Sequence, residues 1–241
     1  MVEEITTPID CACVIHGTAY DWSYVERLYN MLNRHITQGI RLHVYTEADR
    51  PVPEPMIKHV LTNWGLTGPK RAWWYKMQLF NPEHFKGPLL YFDLDTVIVD
   101  SLDWLVKLPT NNFWTVRDFK RLWRPTFYGI NSSVMYWNTA QFESVWKQFC
   151  QENFNAVIAG YHGDQDYITA VIPATHLKFL PIEQVKSWRW ECLDGGYDFK
   201  RRRFLSPNTG TNPSQTASIL IFHGNPKPNK ITDSYVQSHW R

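Results

Sequence analysis

Two carboxylates two residues apart, Asp93 and Asp95, close the apolar run Leu89-Leu90-Tyr91-Phe92. On an extended backbone, residues i and i+2 point the same way, so both carboxylates face one side. Side-by-side carboxylates repel and are costly to bury alone. A divalent cation removes that cost, and Mg²⁺ or Mn²⁺ held by one or two carboxylates is commonly completed by substrate phosphates. A bare Asp-x-Asp is also what a turn cap and a solvated neighbour look like. The run ahead of it weighs against that reading: continuous apolar residues mark a strand buried on both faces. In open α/β sheets ligands bind just beyond the carboxyl ends of such strands.

The elements needed to place the pair are legible around it. Cys11 to His16 reads as a strand ending at Gly17, Tyr20 to His35 as a helix with Tyr24, Leu28, Met31 and Leu32 on one stripe, and Arg41 to Thr46 as a second strand. That order implies a mostly parallel sheet flanked by helices. Pro51 to Pro55 must be a loop. Lys70 to Phe80 reads as a helix with Trp73, Met77 and Phe80 on one face. Strands are expected over Phe113–Val116, Asn131–Trp137, Lys178–Leu180 and Ser218–His223. Helices are expected over Gln141–Phe154 and Asp164–Val171, with a short helix or turn over Leu102–Leu108 and a polar loop over Ser206–Ser218. With no internal repeat and no boundary, residues 1–241 read as one domain with a core of about 11–228 and a short C-terminal tail.

Two enzyme classes use an Asp pair at a strand end. Haloacid-dehalogenase-type phosphatases carry Asp-x-Asp-x-Thr, which Asp93-Leu94-Asp95-Thr96 fits, with Asp93 as nucleophile and Gly163-Asp164-Gln165-Asp166 as a later acidic motif. That pattern usually ends the first strand of its domain, whereas here a strand-helix-strand unit comes first. Nucleotide-sugar glycosyltransferases place a nucleotide-binding unit first and the Asp pair after it. The chain resembles glycosyltransferase family 8, the glycogenin and bacterial galactosyltransferase family. The resemblance rests on Gly17-Thr18-Ala19-Tyr20, the Lys76 helix, Phe92-Asp93-Leu94-Asp95-Thr96, Gly129-Ile130-Asn131-Ser132-Ser133, Gly163-Asp164-Gln165-Asp166 and Phe222-His223-Gly224-Asn225-Pro226-Lys227-Pro228, in that order.

The resemblance implies a GT-A fold, a single Rossmann-like domain, and a UDP-sugar donor. It puts the nucleobase at Gly17 and Thr18 with Tyr20 stacking on it, and Lys76 on the donor phosphates or sugar. Asn131, Ser132 and Gln165 would line the donor sugar, with Asp164 the nearest carboxylate. Asp93 and Asp95 would bind Mn²⁺ or Mg²⁺ with His223 as third ligand, and Gly224 and Lys227 would receive the diphosphate. As preorganised positive charge, Lys227 would stabilise the leaving group. The chain departs from the family twice: Ser133 stands where Gly is usual, and Ile221 where the metal-binding His is usual, with His223 two residues on. No residue reads as a covalent nucleophile, transfer with retention is implied by the resemblance alone, and a non-catalytic sugar- or nucleotide-binding module stays open.

Composition narrows the rest. A net charge of +2 with 20% charged residues argues against nucleic acid as partner. The basic run Lys200-Arg201-Arg202-Arg203 reads as a solvated loop, with a phosphate or membrane-surface contact as alternative. The cysteines, Cys11, Cys13, Cys150 and Cys192, suggest no disulfide scaffold. No apolar run approaches a bilayer span and no signal-peptide core opens the chain, so a soluble, cytoplasmic protein is expected. An aromatic content of 15% suits sugar binding, and Trp64, Trp73, Trp74, Trp123, Trp188 and Trp190 are candidates for an acceptor groove. The acceptor itself, whether glycan, protein or small molecule, is not readable from the chain.

Overall fold

The computed structural model describes residues 7–151, 154–192, 197–198, 203–204 and 213–241. In chain order the strands are β1 (Ile9–Val14), β2 (Ile40–Thr46), β3 (Ile57–Val60), β4 (Pro88–Phe92), β5 (Thr96–Ile98), β6 (Phe113–Arg117), β7 (Ile130–Asn138), β8 (Leu177–Phe179), β9 (Val185–Ser187), β10 (Tyr197–Asp198), β11 (Arg203–Phe204) and β12 (Ile219–Ile221). The main sheet has seven strands in the order β3-β2-β1-β4-β7-β6-β8. Only β7 runs against its neighbours β4 and β6, so the sheet is mostly parallel, as expected. A second sheet, β5-β12-β9, joins the segment after the Asp pair to the segment before Lys227.

Alternation along the central strands builds two cores. Cys11 and Cys13 of β1, Leu90 and Phe92 of β4, and Val134 and Tyr136 of β7 face one cluster, which helix α1 (Ser23–His35) completes. Ala12, Leu89, Tyr91, Met135 and Trp137 face the other. A period of two on strands buried on both faces gives this split. Burial pushes the Cys11 and Cys13 thiols well up, so they stay protonated core side chains. No helix among the described residues is long and apolar enough to cross a membrane.

Several local expectations need correction. The helix expected over Lys70–Phe80 is one short turn, α2 (Pro69–Ala72), then a 3-10 run over Trp73–Phe80 in which Trp74 to Phe80 are all buried. With packing on every side, a stripe at helical period has no meaning there: of the three residues expected on one face, Met77 and Phe80 are buried and Trp73 is 39% exposed. The short segment near Leu102 is α3 (Asp103–Val106). The single helix expected over Gln141–Phe154 is two, α4 (Glu143–Gln151) and α5 (Phe154–Gly160). Strands β3, β5 and β9 were not expected, being too short to show a period. Helix α6 (Asp164–Val171) begins as expected, and α7 (Ser234–His239) ends the chain. The basic residues Lys200, Arg201 and Arg202, and most of the polar loop before Ser218, lie outside the described residues.

Candidate active site

Asp93 follows the last residue of β4, and its backbone N–H donates to the Ser133 carbonyl of β7 at 2.8 Å. The chain then turns, Thr96 N–H donating to the Asp93 carbonyl at 3.1 Å, and enters β5. β5 pairs with β12, and the Phe222 N–H donates to the Asp95 carbonyl at 3.3 Å. The backbone therefore brings the Asp pair, the Asn131–Ser133 segment and the approach to Gly224 together.

Lys76 sits at the centre of one half of the site. Its ammonium lies 2.8 Å from Asp93 Oδ1 and 3.7 Å from Asp164 Oδ2, and donates to Ser132 Oγ at 3.1 Å. The Tyr91 hydroxyl donates to the same Asp93 oxygen at 2.6 Å, and Ser132 Oγ donates to Asp164 Oδ2 at 2.6 Å. Lys227 holds the other half: its ammonium contacts Asp95 Oδ2, to which the Tyr20 hydroxyl donates at 2.9 Å. Lys227 also lies 5.7 Å from the centre of the Tyr20 ring. Tyr20, expected to stack on a base, thus has its polar end on the Asp pair.

Three carboxylates face two ammonium groups in this cluster. Burial raises the Asp93 carboxyl, and Lys76 with the Tyr91 hydroxyl more than reverses it, leaving Asp93 below the ordinary range. Asp95 ends above its ordinary value: burial raises it, Lys227 only partly opposes, and the charge on Asp93 adds to the rise. Asp164 is raised by burial too, against the pull of Lys76 and Ser132. Burial lowers Lys76, but Asp93 and Asp164 outweigh that and hold its ammonium above the usual value.

A hard divalent cation suits this donor set. Lys76 and Tyr91 reach Oδ1 of Asp93, whose carboxylate also takes a side-chain hydrogen bond from Ser133, Lys227 and Tyr20 reach Oδ2 of Asp95, and the cluster has more carboxylates than cations. Among the described residues no three His, Cys, Asp or Glu side chains converge as a metal site. His223, expected as third ligand, is not brought to the aspartates. Its Nε2 shares a 2.7 Å hydrogen bond with Ser187 Oγ, and its ring stacks on Phe119 at 5.1 Å and meets Trp190 edge-on at 4.2 Å. Burial, with Arg189 and Lys227 nearby, pushes it down to about 4, so it packs as a neutral ring.

The first turn is built by residues the sequence reading missed. Gly17 adopts φ +67°, and its N–H donates to Glu47 Oε1 at 2.5 Å while its carbonyl accepts from Arg50 Nη2 at 2.6 Å. Glu47 pairs with Arg50 Nε at 3.0 Å, and although burial raises its carboxyl, these bonds bring it down to about 2. Thr18 is exposed beside this turn. Asn131 Oδ1 accepts from Ser133 N–H at 3.1 Å, tying its side chain to its own strand. Gln165 is partly buried next to Asp164, and Gly224 takes φ +73° three residues before Lys227. Tyr91 was legible only as part of an apolar run. Glu47 and Arg50, spaced i and i+3 after β2, carried no signal pointing to Gly17.

Comparison with known structures agrees with this architecture. An active-site mutant of LgtC superposes with a TM-score of 0.66 at 12% identity over 96% of this chain and 94% of that one. The bifunctional glycosyltransferase WbbM matches at TM-score 0.60 and 12% identity over 92% of this chain. Mouse xyloside xylosyltransferase 1 matches at 0.52 and 13% identity over 91% of this chain and all, 100%, of its own. The chain spans about half the length of WbbM, 47%. No protein-family model matches the sequence, and no curated protein matches it. At such identities the likeness is one of fold: the chain has the GT-A fold found in these glycosyltransferases.

Proposed function

We propose that this protein is a metal-dependent glycosyltransferase that moves a sugar from a UDP-sugar to an acceptor hydroxyl with retention of configuration, and that 1–241 acts as one domain. The observation that supports it most is the cluster of Asp93, Asp95 and Asp164 with Lys76 and Lys227 at the carboxyl edge of a GT-A sheet. LgtC, of the same fold, is a galactosyltransferase whose structure has been solved with donor and acceptor sugar analogues.

In this reading Asp93 and Asp95 hold Mn²⁺ or Mg²⁺ together with the donor diphosphate, which suits an ion that needs only one or two carboxylates. Bound there, the ion supplies Lewis-acid stabilisation of the leaving phosphate. Lys227 exchanges Asp95 for the diphosphate and neutralises charge as it develops, with Gly224 leaving room for the phosphate. Tyr20 keeps Asp95 oriented through that exchange. Lys76 favours the ionised forms of Asp93 and Asp164, and Asp164, held by Ser132, faces the donor sugar beside Asn131 and Gln165. The base lies against the Gly17 and Thr18 turn that Glu47 and Arg50 fix.

The phosphatase alternative places its nucleophile after a domain's first strand, whereas Asp93 follows the fourth strand of a GT-A sheet and its Oδ1 is occupied by Lys76 and Tyr91. Titration of UDP, GDP and UDP-sugars with and without Mn²⁺ tests the proposal. UDP binding is expected to need Mn²⁺ and to fall by about 100-fold or more in Asp95→Ala, since even residues behind metal ligands are worth 10–100-fold. Slow donor hydrolysis without acceptor separates an enzyme from a binding module. Absence of nucleotide binding in the presence of metal sinks the reading.

A further inference from the structure

Asp95 is held by two side chains, and one of them is braced from far along the chain. The Tyr20 hydroxyl donates to Asp95 Oδ2 at 2.9 Å, and Lys227 contacts the same oxygen. Tyr20 lies in the bend before α1, outside any helix or strand, so its ring takes its place from the side chains around it. That ring meets Tyr24 at 4.8 Å, tilted by 57°, and Tyr24 meets Trp240 edge-on at 5.1 Å and 68°. Both contacts lie in the range where aromatic pairs attract beyond their buried area. Tyr24 and Trp240 are core residues, 3% and 2% exposed. Three rings in a row thus end on a carboxylate of the Asp pair.

The far end of the row is itself fixed. The Arg27 guanidinium sits 4.1 Å from the Trp240 ring centre, and its Nη1 donates to the Trp240 carbonyl at 2.7 Å. Asp233 caps α7, its Oδ1 accepting from the Val236 N–H at 3.0 Å. Gln237 Nε2 donates to the Ile231 carbonyl at 2.6 Å and to the Pro228 carbonyl at 3.3 Å, one residue beyond Lys227. The middle ring is held at its polar end as well, where the Tyr24 hydroxyl accepts from the Asn229 backbone N–H. A tyrosine packed in this way cannot swing to another rotamer without moving its neighbours. Groups behind a metal ligand set its orientation, and their loss is felt at the ion.

We propose that Trp240 is a positioning residue of the donor site: through Tyr24 it holds Tyr20, and so sets the direction in which Asp95 presents its carboxylate to metal and diphosphate. This rests on the glycosyltransferase reading above and extends that site to α7. Trp240 stands two rings away from Asp95, so its effect on binding must pass through the Tyr20 hydroxyl.

That requirement makes a double-mutant cycle the test. UDP affinity is measured by calorimetry in Mn²⁺ on the whole protein, at a temperature where circular dichroism shows each variant folded. Tyr20→Phe should weaken binding roughly tenfold, the lower end of what losing a group behind a metal ligand costs. Trp240→Leu, which keeps apolar volume but not the ring, should weaken it by roughly fivefold, the size of one aromatic pair. In the Tyr20→Phe background the same change should cost less than about twofold, because the hydroxyl it positions is already gone. Trp240→Phe, which keeps a ring against Tyr24, should bind UDP as the unaltered protein does. Should Trp240→Leu fail to fold, Arg27→Gln takes its place in the cycle. It removes the brace on the Trp240 ring at a partly buried position, and its loss of roughly threefold should vanish with Tyr20→Phe. Additive losses overturn the proposal, as does unchanged affinity in Trp240→Leu or an equal loss in Trp240→Phe. If the unaltered protein binds no UDP, the donor-site reading falls and this proposal with it; additive losses in a protein that does bind UDP sink this proposal alone.

Discussion

Two polar networks lie on this sheet, and they are built on opposite principles. At the carboxyl edge, Asp93, Asp95 and Asp164 are set against Lys76 and Lys227, and the charges do not cancel. Elsewhere, β1, β2 and β3 bring Asp10, His43 and His59 into a chain: His43 Nε2 lies 2.8 Å from Asp10 Oδ1 and His43 Nδ1 lies 2.8 Å from His59 Nε2. Arg41 balances Asp10 with two 2.7 Å hydrogen bonds, and His59 stacks on Tyr45 at 4.6 Å. Burial pushes His59 down to about 4, with His43 and His84 adding to it, so that network sets a neutral His59 at the end of a chain leading to one carboxylate paired with Arg41. The one carboxylate of the histidine network has its partners in Arg41 and His43. The aspartate network is left short of positive charge, which is the state a cation or a cationic transition state would complete.

The sharpest way to break this comparison is to remove Lys76. Its loss leaves Asp93 and Asp164 facing each other without their shared ammonium, and breaking a buried pair in this way costs about 3–5 kcal/mol. Lys76→Met should therefore unfold at markedly lower urea at pH 7.5 and recover part of the loss near pH 5, where protonation relieves the carboxylates. An unchanged urea midpoint would mean that the cluster is screened by solvent and does not store charge. The partner experiment runs the other way. Asp164 has its carboxyl raised in the fold, so its ionised form is a burden at neutral pH. Asp164→Asn keeps an acceptor for Ser132 and removes that burden, so it should stabilise by about 0.5–1 kcal/mol while sugar transfer falls by about 100-fold or more. A variant that is both stable and fully active would remove Asp164 from the site.

How much of this was legible depended on whether a residue's role was local. The strand-end Asp pair, the β1–α1–β2 start and the sheet type were readable because period and burial are written in neighbouring residues. The helix expected over Lys70–Phe80 was misread because a segment packed on all sides carries no stripe to read. The Lys76 tether joins positions up to 88 residues apart, from Lys76 to Asp164, and spacing in the chain says nothing of such a pairing. His223 was assigned by its place in a motif, yet it lies beyond the end of β12, where its ring is seated between Phe119 and Trp190. The support of Gly17 by Glu47 and Arg50 needed the parallel pairing of β1 with β2, which only the fold supplies.

The histidine network makes the next prediction, on the pH axis. His59 is neutral in the fold down to about 4, whereas an unfolded histidine takes up its proton near 6.5. The unfolded state then binds more protons as pH falls, so stability is complete above about 6.5 and is lost progressively between there and about 4. His84 is also lowered by burial and acts in the same direction. His59 is only partly buried, so solvent screening reduces the expected loss to roughly 1–2 kcal/mol. Melting temperatures from pH 7.5 to 4.5 should fall less steeply in His59→Gln, which can still bond His43 but does not titrate. Parallel curves for the two proteins would mean that the acid sensitivity lies in the aspartate cluster, reversing the contrast drawn between the two networks.

The smallest expected effect is at the turn that links the two regions, where β1 leaves the sheet. Gly17 has φ +67° and open space where a Cβ would go, with nothing within 4 Å. Gly17→Ala therefore meets no clash, and its cost is the left-handed backbone alone, about 1 kcal/mol. Arg50→Ala leaves that geometry intact but removes one of the two groups that fix the turn. If the turn receives the nucleobase, Arg50→Ala should weaken UDP binding several-fold with little change in melting temperature, and Gly17→Ala should lower both. A turn that matters only for folding would show the melting loss in Gly17→Ala with UDP affinity untouched in both variants.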